Sequence, residues 1–308
     1  MTPIHEISLE GIQNQIFMKR EDLLAFSFGG NKVRIAKEFF DDMKKIGKDC
    51  MVGYGSARSN LSRALANFSS SRGVECYIVS PADMDGIRIE TANSKIGQVC
   101  KANFRYCMKE NVAETVEAVL EECCMKGMKP YYIYGDKYGH GNEAVPVRAY
   151  VEVYKEIKRQ ENSLGIKFDY IFLATGTGMT QSGLIAGQRE EDGCECIIGI
   201  SVARQKEIDC KTIQKYIEAY ENSLLGMFEI NILDNYLAGG YGLWNESIKK
   251  TIYMMMEKNG VPLDTTYTGK AFWGMLEYLK RENIKNKNVL FVHTGGIPLF
   301  FDDLNTFK

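Results

Sequence analysis

Residues 168–180 read FDYIFLATGTGMT, an apolar run followed by a glycine-rich turn. The run from Phe168 to Ala174 is nearly continuous in apolar residues, which predicts a strand buried on both faces. The turn from Thr175 to Met179 should lead into a helix that begins at Thr180. Its two glycines permit the backbone conformations and close approaches that such a turn needs. A buried strand that passes directly into a helix is typical of parallel α/β sheets.

Short apolar runs alternate with longer amphipathic segments along the rest of the chain. Strands are predicted at 50–54, 76–80, 131–134, 170–174, 196–202 and 289–293. Helices are predicted at 34–46, 61–71, 112–125, 147–160, 181–188, 243–259 and 270–281. This alternation indicates an α/β fold with two open, twisted, mostly parallel sheets covered by helices.

Two domains are predicted. The segment 35–154 contains three of the strands, enough for a small domain, and the segments 1–34 and 155–308 supply a large one. Lys32 would then lie at the junction. Because small-molecule sites commonly form in clefts between domains, we expect the active site there.

Composition narrows the class of protein. The 308 residues are 45% hydrophobic and 25% charged, with a formal net charge of −2 and no basic tract. This charge distribution gives no electrostatic reason to expect binding to nucleic acid or to an anionic membrane surface. The apolar runs are too short to span a bilayer, and the N-terminus lacks the pattern of a secretory signal. We expect a cytoplasmic enzyme without nucleic-acid or membrane partners.

The cysteines and histidines do not indicate a metal site. Nine cysteines occur, an odd number, and no two are spaced as Cys-x-x-Cys. Only three histidines are present in the whole chain. Disulfide frameworks and zinc sites need more regular spacings, so we predict neither.

The glycine-rich turn can bind an anion. Its amides and the N-terminus of the following helix converge on one point, a suitable place for phosphate. Thr177 and Thr180 can add hydroxyl donors. The spacing matches neither Gly-x-Gly-x-x-Gly nor a Walker loop. Such turns also join strands to helices without any ligand, so the turn alone leaves both interpretations open.

Lys32 follows two glycines in the string Gly29-Gly30-Asn31-Lys32. The glycines would let the backbone pass close to a bound ring and place the lysine at the start of a helix. A lysine that reacts with an aldehyde must be neutral, so its pKa must be lowered by burial or by neighbouring cations. Taken alone, however, Lys32 is an ordinary surface lysine.

A third polar loop follows the strand at 50–54 and contains Ser59 and Asn60. One interpretation is structural: either side chain can cap the helix that begins there. The other is functional: Asn60 bonds a ring oxygen, and Ser59 with nearby amides holds a substrate carboxylate.

Together these strings resemble the fold-type II pyridoxal-phosphate enzymes, the tryptophan-synthase-β superfamily. Within it, the chain is most similar to the D-cysteine desulfhydrase and 1-aminocyclopropane-1-carboxylate deaminase family. The resemblance extends over nearly the whole chain and follows the family's order. Its motifs are Lys19-Arg20-Glu21-Asp22-Leu23, Gly29-Gly30-Asn31-Lys32, Ser59-Asn60 with Arg63, the 175–180 loop, Gly240-Tyr241-Gly242, Leu263-Asp264 with Tyr267-Thr268-Gly269-Lys270, and His293-Thr294-Gly295-Gly296.

The resemblance implies the cofactor pyridoxal 5′-phosphate and a role for each matching residue. Lys32 would bind the cofactor aldehyde as a Schiff base and shuttle the α-proton. Asn60 would bond the pyridine 3′-oxygen, and Thr268 would face the pyridine nitrogen. Ser59 would contact the substrate carboxylate, with Tyr241 and Tyr267 nearby as carboxylate binders or acid–base groups. The phosphate would lie in the loop of Gly176, Thr177, Gly178, Met179 and Thr180.

Thr268 bears on which reaction follows. Aminocyclopropane-carboxylate deaminases of the family carry an acidic residue at this place, which favours a protonated ring nitrogen and a stronger electron sink. A hydroxyl cannot neutralise a pyridinium. The resemblance therefore favours simple α,β-elimination, as in D-cysteine desulfhydrases, giving a 2-oxo acid, ammonia and sulfide or another leaving group.

The chain departs from the family pattern in three places. Arg58 stands where members usually have glutamine, and its guanidinium could bind an acidic substrate group or a surface carboxylate. The region 135–143 differs from the compact Gly-Gly-Ser-Asn string expected there, and the N-terminus is shorter than usual. These departures favour a specialised substrate.

Other functions stay open at the level of sequence. Within the same fold they are an aminocyclopropane-carboxylate deaminase, a β-replacement synthase, or a sulfo-lyase that acts on a β-substituted amino acid. Outside it they are a nucleotide-binding oxidoreductase, which the missing Gly-x-Gly-x-x-Gly disfavours, and a non-catalytic binding module. The resemblance also implies a small amino-acid substrate and a homodimer.

Overall fold

The structure is a computed structural model, and it describes residues 1–82, 89–222 and 229–307. Over these residues the strands are β1 (Ile4–Ile7), β2 (Gln15–Arg20), β3 (Cys50–Tyr54), β4 (Glu75–Pro81), β5 (Asn103–Cys107), β6 (Pro130–Tyr132), β7 (Tyr170–Thr175), β8 (Cys196–Ser201), β9 (Asn231–Leu233) and β10 (Asn288–His293). The helices are α1 (Asn31–Lys45), α2 (Asn60–Ser70), α3 (Ala92–Val99), α4 (Val112–Met125), α5 (Ala144–Leu164), α6 (Met179–Glu190), α7 (Lys206–Glu221), α8 (Glu246–Asn259), α9 (Thr268–Arg281) and α10 (Ile297–Leu304).

The chain divides into two compact units. The larger comprises Met1–Asn31 and Val147–Lys308, and the smaller comprises Lys32–Pro146. The domain boundaries expected from the sequence, 1–34 with 155–308 and 35–154, stay a prediction, because compactness alone does not establish independently folding domains.

The larger unit is built on a six-stranded sheet with the order β1-β2-β10-β7-β8-β9. Only β1 runs antiparallel to its neighbour. Strand β10 lies inside the sheet, with Val289 paired to both Ile16 and Tyr170. Its apolar residues are wholly buried, as expected for an inner parallel strand. The side chains of α8 and α9 pack against β7, β8 and β10 in one continuous core.

The smaller unit is built on a four-stranded, fully parallel sheet with the order β5-β4-β3-β6. The inner strands β3 and β4 are buried over nearly their whole length. Helix α2 contacts both of them, and its apolar face includes the buried side chains of Leu61 and Leu65. The loop that precedes α2 therefore begins at the carboxyl end of an inner strand.

The predicted fold class is confirmed. All six predicted strands and all seven predicted helices occur, and parallel pairing predominates. Two strands are shorter than predicted, since β6 ends at Tyr132 and not at residue 134, and β8 ends at Ser201 and not at residue 202. The sequence patterns missed β1, β2, β5, β9, α3, α7 and α10. In the described part of the chain, none of the helices has the length and apolarity needed to cross a membrane.

Candidate active site

Two glycines bring the chain close to itself just before Lys32. Gly29 and Gly30 have positive φ angles of 66° and 96°. A Cβ atom at Gly29 would lie 2.2 Å from the carbonyl oxygen of Asp22, and one at Gly30 would lie 2.8 Å from that of Thr294. Larger residues are therefore excluded by both conformation and space.

Asn31 joins this turn to the glycine-rich loop. Its backbone amide donates to the carbonyl of Thr294 at 3.0 Å, and its side-chain amide donates to the hydroxyl of Thr180 at 2.8 Å. Lys32 follows directly as the second residue of α1, at the helix start that the sequence predicted. Lys32 is thus the residue directly after the one that contacts Thr180.

Lys32 has the electronic property that amine chemistry requires. Burial lowers the pKa of its amine to about 8 from the ordinary value of 10.5. The neutral form of the amine is therefore far more populated near neutral pH than it would be at the ordinary pKa. The side chain nevertheless keeps part of its surface exposed. A neutral amine is the form that can attack an aldehyde.

The glycine-rich loop has the features of an anion site. Strand β7 ends at Thr175, and α6 begins at Met179 with Gly178 as its N-cap, in the left-handed conformation at φ 81°. Among the residues that the structure describes, no side chain caps this helix, and its first turn contains no acidic residue. The partial positive charge of the helix N-terminus is therefore not offset by the protein itself in this turn.

The loop before α2 has a different construction. The hydroxyl of Ser59 accepts from the amide of Ser62 at 3.1 Å and so caps the helix. The structural interpretation of Ser59 is thereby confirmed. Asn60 follows as the first residue of α2, and it is buried. Its side-chain oxygen accepts from Asn93 at 3.0 Å and from Arg63 at 3.4 Å.

Tyr241 and Tyr267, predicted to lie near the substrate, contact each other. Their hydroxyl oxygens are 2.6 Å apart, and their rings pack edge to face with centroids 5.9 Å apart. Two hydroxyls at this distance share one hydrogen between them, so either one can act as donor. Both side chains are partly exposed.

Thr268 is fully buried, and its hydroxyl is already engaged. It donates to the carboxylate of Asp264 at 2.8 Å and accepts from the backbone amide of the same residue at 2.9 Å. The carboxylate also accepts from the amides of Thr266 and Tyr267, at 2.9 and 2.7 Å. Burial raises the pKa of Asp264, although these hydrogen bonds oppose that shift.

Lys270, two residues further along α9, is also fully buried. Its ammonium donates to the carbonyl of Gly240 at 2.7 Å and contacts that of Val202 at 3.4 Å. Burial lowers its pKa to about 8. The family motif contains this lysine, but no role was predicted for it from the sequence. It fixes the carbonyl of the residue before Tyr241.

Arg58 is half-buried. Of the carboxylates in the described ranges, none forms an ion pair with its guanidinium. Its backbone carbonyl accepts from the side chain of Asn93 at 3.0 Å. Asn93 was not anticipated from the sequence, because it lies on α3, a helix that no apolar pattern indicated.

Each unit thus carries part of the predicted site. The larger unit contains the loop 176–180, the tyrosine pair and Thr268. The smaller unit contains Lys32, Arg58, Ser59 and Asn60. A lysine with a lowered pKa matches the aldehyde of pyridoxal 5′-phosphate, and an uncapped helix start matches its phosphate. The residues fit the cofactor.

Comparison with known proteins supports the same cofactor. The family model described as "Pyridoxal-phosphate dependent enzyme" matches residues 1–295. A D-cysteine desulfhydrase from Serratia proteamaculans is 26% identical, over 97% of this chain and 92% of its own. A 1-aminocyclopropane-1-carboxylate deaminase from Rhizobium rhizogenes is 27% identical, over 96% of this chain and 90% of its own.

A solved structure gives the same result. The crystal structure of a protein described as an ACC deaminase homologue superposes with a TM-score of 0.84 at 26% identity, covering 99% of this chain and 93% of the other. The protein uses pyridoxal 5′-phosphate and is a lyase. The chain belongs to the pyridoxal-phosphate dependent enzymes, in the fold-type II family of D-cysteine desulfhydrases and aminocyclopropane-carboxylate deaminases.

Proposed function

We propose that the enzyme eliminates a thiol from a small amino acid, with D-cysteine as the first substrate to test and pyruvate, ammonia and sulfide as products. The arrangement around Thr268 carries this proposal. Its hydroxyl donates to Asp264, and Asp264 is turned toward backbone amides. The position proposed to face the ring nitrogen therefore offers no carboxylate, which favours departure of a good leaving group over opening of a cyclopropane.

Lys32 is proposed to hold the cofactor and to move the α-proton. A cofactor held there would supply the electron sink for the pair released at Cα. With a pKa of about 8, the amine of Lys32 can take up and return a proton near neutral pH. The glycine-rich loop is proposed to hold the phosphate through its amides, with Thr177 and Thr180 as further donors. Asn60 is proposed to donate to the 3′-oxygen.

The two tyrosines are proposed to serve the leaving group or the carboxylate of the substrate. Because their hydroxyls are 2.6 Å apart, one donates to the other and stabilises it if it loses its proton. Tyr267 or Tyr241 can then protonate a departing thiolate and recover the proton from its neighbour. Ser59 is proposed at the substrate carboxylate, since an accepting bond to Ser62 leaves its own hydroxyl hydrogen to donate.

A second candidate function follows from Arg58. A half-buried guanidinium that forms no ion pair with the described carboxylates suits a substrate with an anionic β-substituent, such as a sulfonate or a second carboxylate. The enzyme would then be a sulfo-lyase or a β-replacement enzyme. We rank this below thiol elimination, because Arg58 is one residue, whereas Thr268 bears on the electron sink itself.

We also propose a cytoplasmic homodimer. The nine cysteines have no regular spacing, which is more typical of an intracellular protein than of a small secreted one held by disulfides. The dimer rests on family resemblance, and light scattering of the purified protein will show whether the mass is twice 34.8 kDa.

Two measurements test the function. The purified protein should show a visible absorption band, and borohydride reduction followed by peptide mass spectrometry should place the cofactor on Lys32. With D-cysteine it should release sulfide and pyruvate in equal amounts. Release of 2-oxobutyrate from 1-aminocyclopropane-1-carboxylate, with no sulfide from either enantiomer of cysteine, would reverse the ranking. A β-sulfonate substrate consumed faster than D-cysteine would favour the second candidate.

A further inference from the structure

The side-chain amide of Asn60 is held in one orientation by its neighbours in the smaller unit. Its oxygen accepts from the amide nitrogen of Asn93 at 3.0 Å and, over a longer 3.4 Å, from the guanidinium of Arg63. All three residues are at least nine-tenths buried. A side-chain amide has a donor end and an acceptor end of nearly the same shape, so its chemistry depends on which end faces a ligand.

Arg63 determines which end of the Asn60 side-chain amide faces it and which end faces away. A guanidinium carries five donors and no acceptor, so the atom of Asn60 that faces it must be the oxygen. The amide nitrogen of Asn60 is then on the opposite side. Arg63 lies one turn after Asn60 on α2, which fixes this contact through the helix itself.

The contact with Asn93 independently requires the same orientation of the Asn60 amide. Its amide nitrogen donates to the backbone carbonyl of Arg58 at 3.0 Å as well as to Asn60. A backbone carbonyl only accepts, so rotation of the Asn93 amide would set two oxygens against each other at both contacts. The oxygen of Asn93 has no hydrogen-bond partner in the described part of the chain. The orientation is therefore imposed by the two acceptors and not by the needs of Asn93.

We propose that Asn93 and Arg63 are positioning residues that hold the donor end of Asn60 toward the 3′-oxygen of the cofactor. This inference rests on the proposed role of Asn60. A donor facing that oxygen stabilises its negative charge, whereas the opposite orientation would place oxygen against oxygen. Neither positioning residue contacts the cofactor in this proposal; both act through Asn60.

The competing explanation is packing between α2 and α3, because Asn93 connects these helices. A matched contact separates the two explanations. Asn67 on α2 donates to the sulfur of Cys100, the residue that follows α3, at 2.7 Å. Asn67→Ala therefore loosens the same helix pair without touching Asn60, and it is the control for Asn93→Ala.

The experiment is a pH titration of the visible absorption band of the holoenzyme, together with the dissociation constant of the cofactor. The variants are Asn60→Ala, Asn93→Ala, Asn93→Asp, Asn67→Ala and the double variant Asn60→Ala/Asn93→Ala. Loss of a donor to an anionic oxygen should raise the midpoint by about one pH unit and weaken cofactor binding about tenfold. Asn93→Asp should have at least the effect of Asn93→Ala, because a carboxylate has no donor for Asn60 or for the carbonyl of Arg58.

The outcomes are distinguishable. We expect Asn60→Ala and both Asn93 variants to raise the midpoint, Asn67→Ala to leave it unchanged, and the double variant to match Asn60→Ala, since no amide is left to orient. A shift in Asn60→Ala but in neither Asn93 variant would overturn the positioning role alone. No shift in Asn60→Ala would overturn the proposed role of Asn60. If Asn93→Ala does not fold, the titration midpoint of the nearly isosteric Asn93→Asp tests the positioning role.

Discussion

Two helix starts in this molecule follow inner parallel strands, yet they are built in different ways. Helix α2 is capped by the hydroxyl of Ser59 and continues with the oriented amide of Asn60. Helix α6 has no side-chain cap among the described residues, and its N-cap is a glycine in the left-handed conformation. The capped start presents specific side chains, whereas the uncapped start presents backbone amides and a helix dipole. One suits recognition of particular atoms, and the other suits a phosphate.

The largest effect should come from giving the uncapped start a cap of its own. Gly178→Asp places a carboxylate where the phosphate is proposed to bind, and its Cβ would lie 2.9 Å from a side-chain carbon of Ile213. We expect the dissociation constant of the cofactor to rise at least about 100-fold, measured by absorbance titration.

Gly165→Asp is the matched control for this change. Gly165 also has a positive φ, 68°, but a Cβ there meets no atom within 4 Å. It should bind the cofactor like the wild type. If Gly178→Asp binds equally well, the loop does not hold the phosphate.

A third helix start, that of α1, holds Lys32, which we propose to bind the cofactor. Burial lowers the pKa of Lys32 to about 8, so the protonated form dominates below that pH. The rate at which the apoenzyme captures the cofactor should rise about tenfold per pH unit up to about 8 and then level off. Stopped-flow absorbance between pH 6 and 9.5 measures it. A rate that still rises at the upper limit would mean that Lys32 keeps an ordinary pKa.

Arg58 tests whether the capped start also selects the substrate. Arg58→Gln should lower kcat/KM for a substrate with an anionic β-substituent about tenfold relative to D-cysteine, since a charge-assisted bond is lost. Arg58→Lys keeps the charge but not the fork of donors. Its kcat/KM for the anionic substrate relative to D-cysteine should therefore lie between the values of the wild type and Arg58→Gln. Cofactor affinity should not change in either variant. Equal ratios in all three proteins would leave Arg58 without a substrate role.

The smallest effect should come from Ser59→Ala. Removing the cap should lower the free energy of unfolding by about 1 kcal/mol, measured by urea denaturation. Asn245→Ala removes the corresponding cap of α8, where the side-chain oxygen accepts from Ile248 at 3.0 Å. Both variants should lose similar stability. Only Ser59→Ala should also raise KM; an unchanged KM would leave Ser59 a cap alone.

The sequence predicted the inner parts of both sheets well. The strand at 50–54 and the helix at 112–125 have the predicted bounds, because continuous apolar runs and amphipathic periodicity are strong signals. Strand β2 was missed because it ends in Lys19 and Arg20, which look exposed but are buried. Glu156 pairs with the first and Asp22 with the second. Glu156 is 137 positions from Lys19, so no local pattern reveals that partner. Asp22 is only two positions from Arg20, but it lies beyond the strand in the short 3-10 helix Glu21–Leu23.

The candidate site was predictable only as a set of residues. Motif resemblance named Asn60 and Thr268, but not the contacts that constrain them. Asn93 is 33 positions from Asn60 and lies on a helix of eight residues, too short for a clear periodicity. The Asp264 contact of Thr268 is local, at four positions, and resembles an ordinary helix start. Roles assigned from motifs therefore stay predictions until the variants are measured.

The placement of Lys270 has a mechanical consequence for the tyrosine pair. The segment before Tyr241 has three successive positive φ angles, at Ala238, Gly239 and Gly240, a backbone conformation that residues other than glycine rarely adopt. Tyr267 and Lys270, one helical turn apart, contact this segment at two points, the hydroxyl of Tyr241 and the carbonyl of Gly240. The start of α9 and the residue before it thus hold Tyr241 at two points, its hydroxyl and the backbone carbonyl that precedes it. The position of Tyr241 therefore depends on a buried lysine that is not itself proposed to contact the substrate.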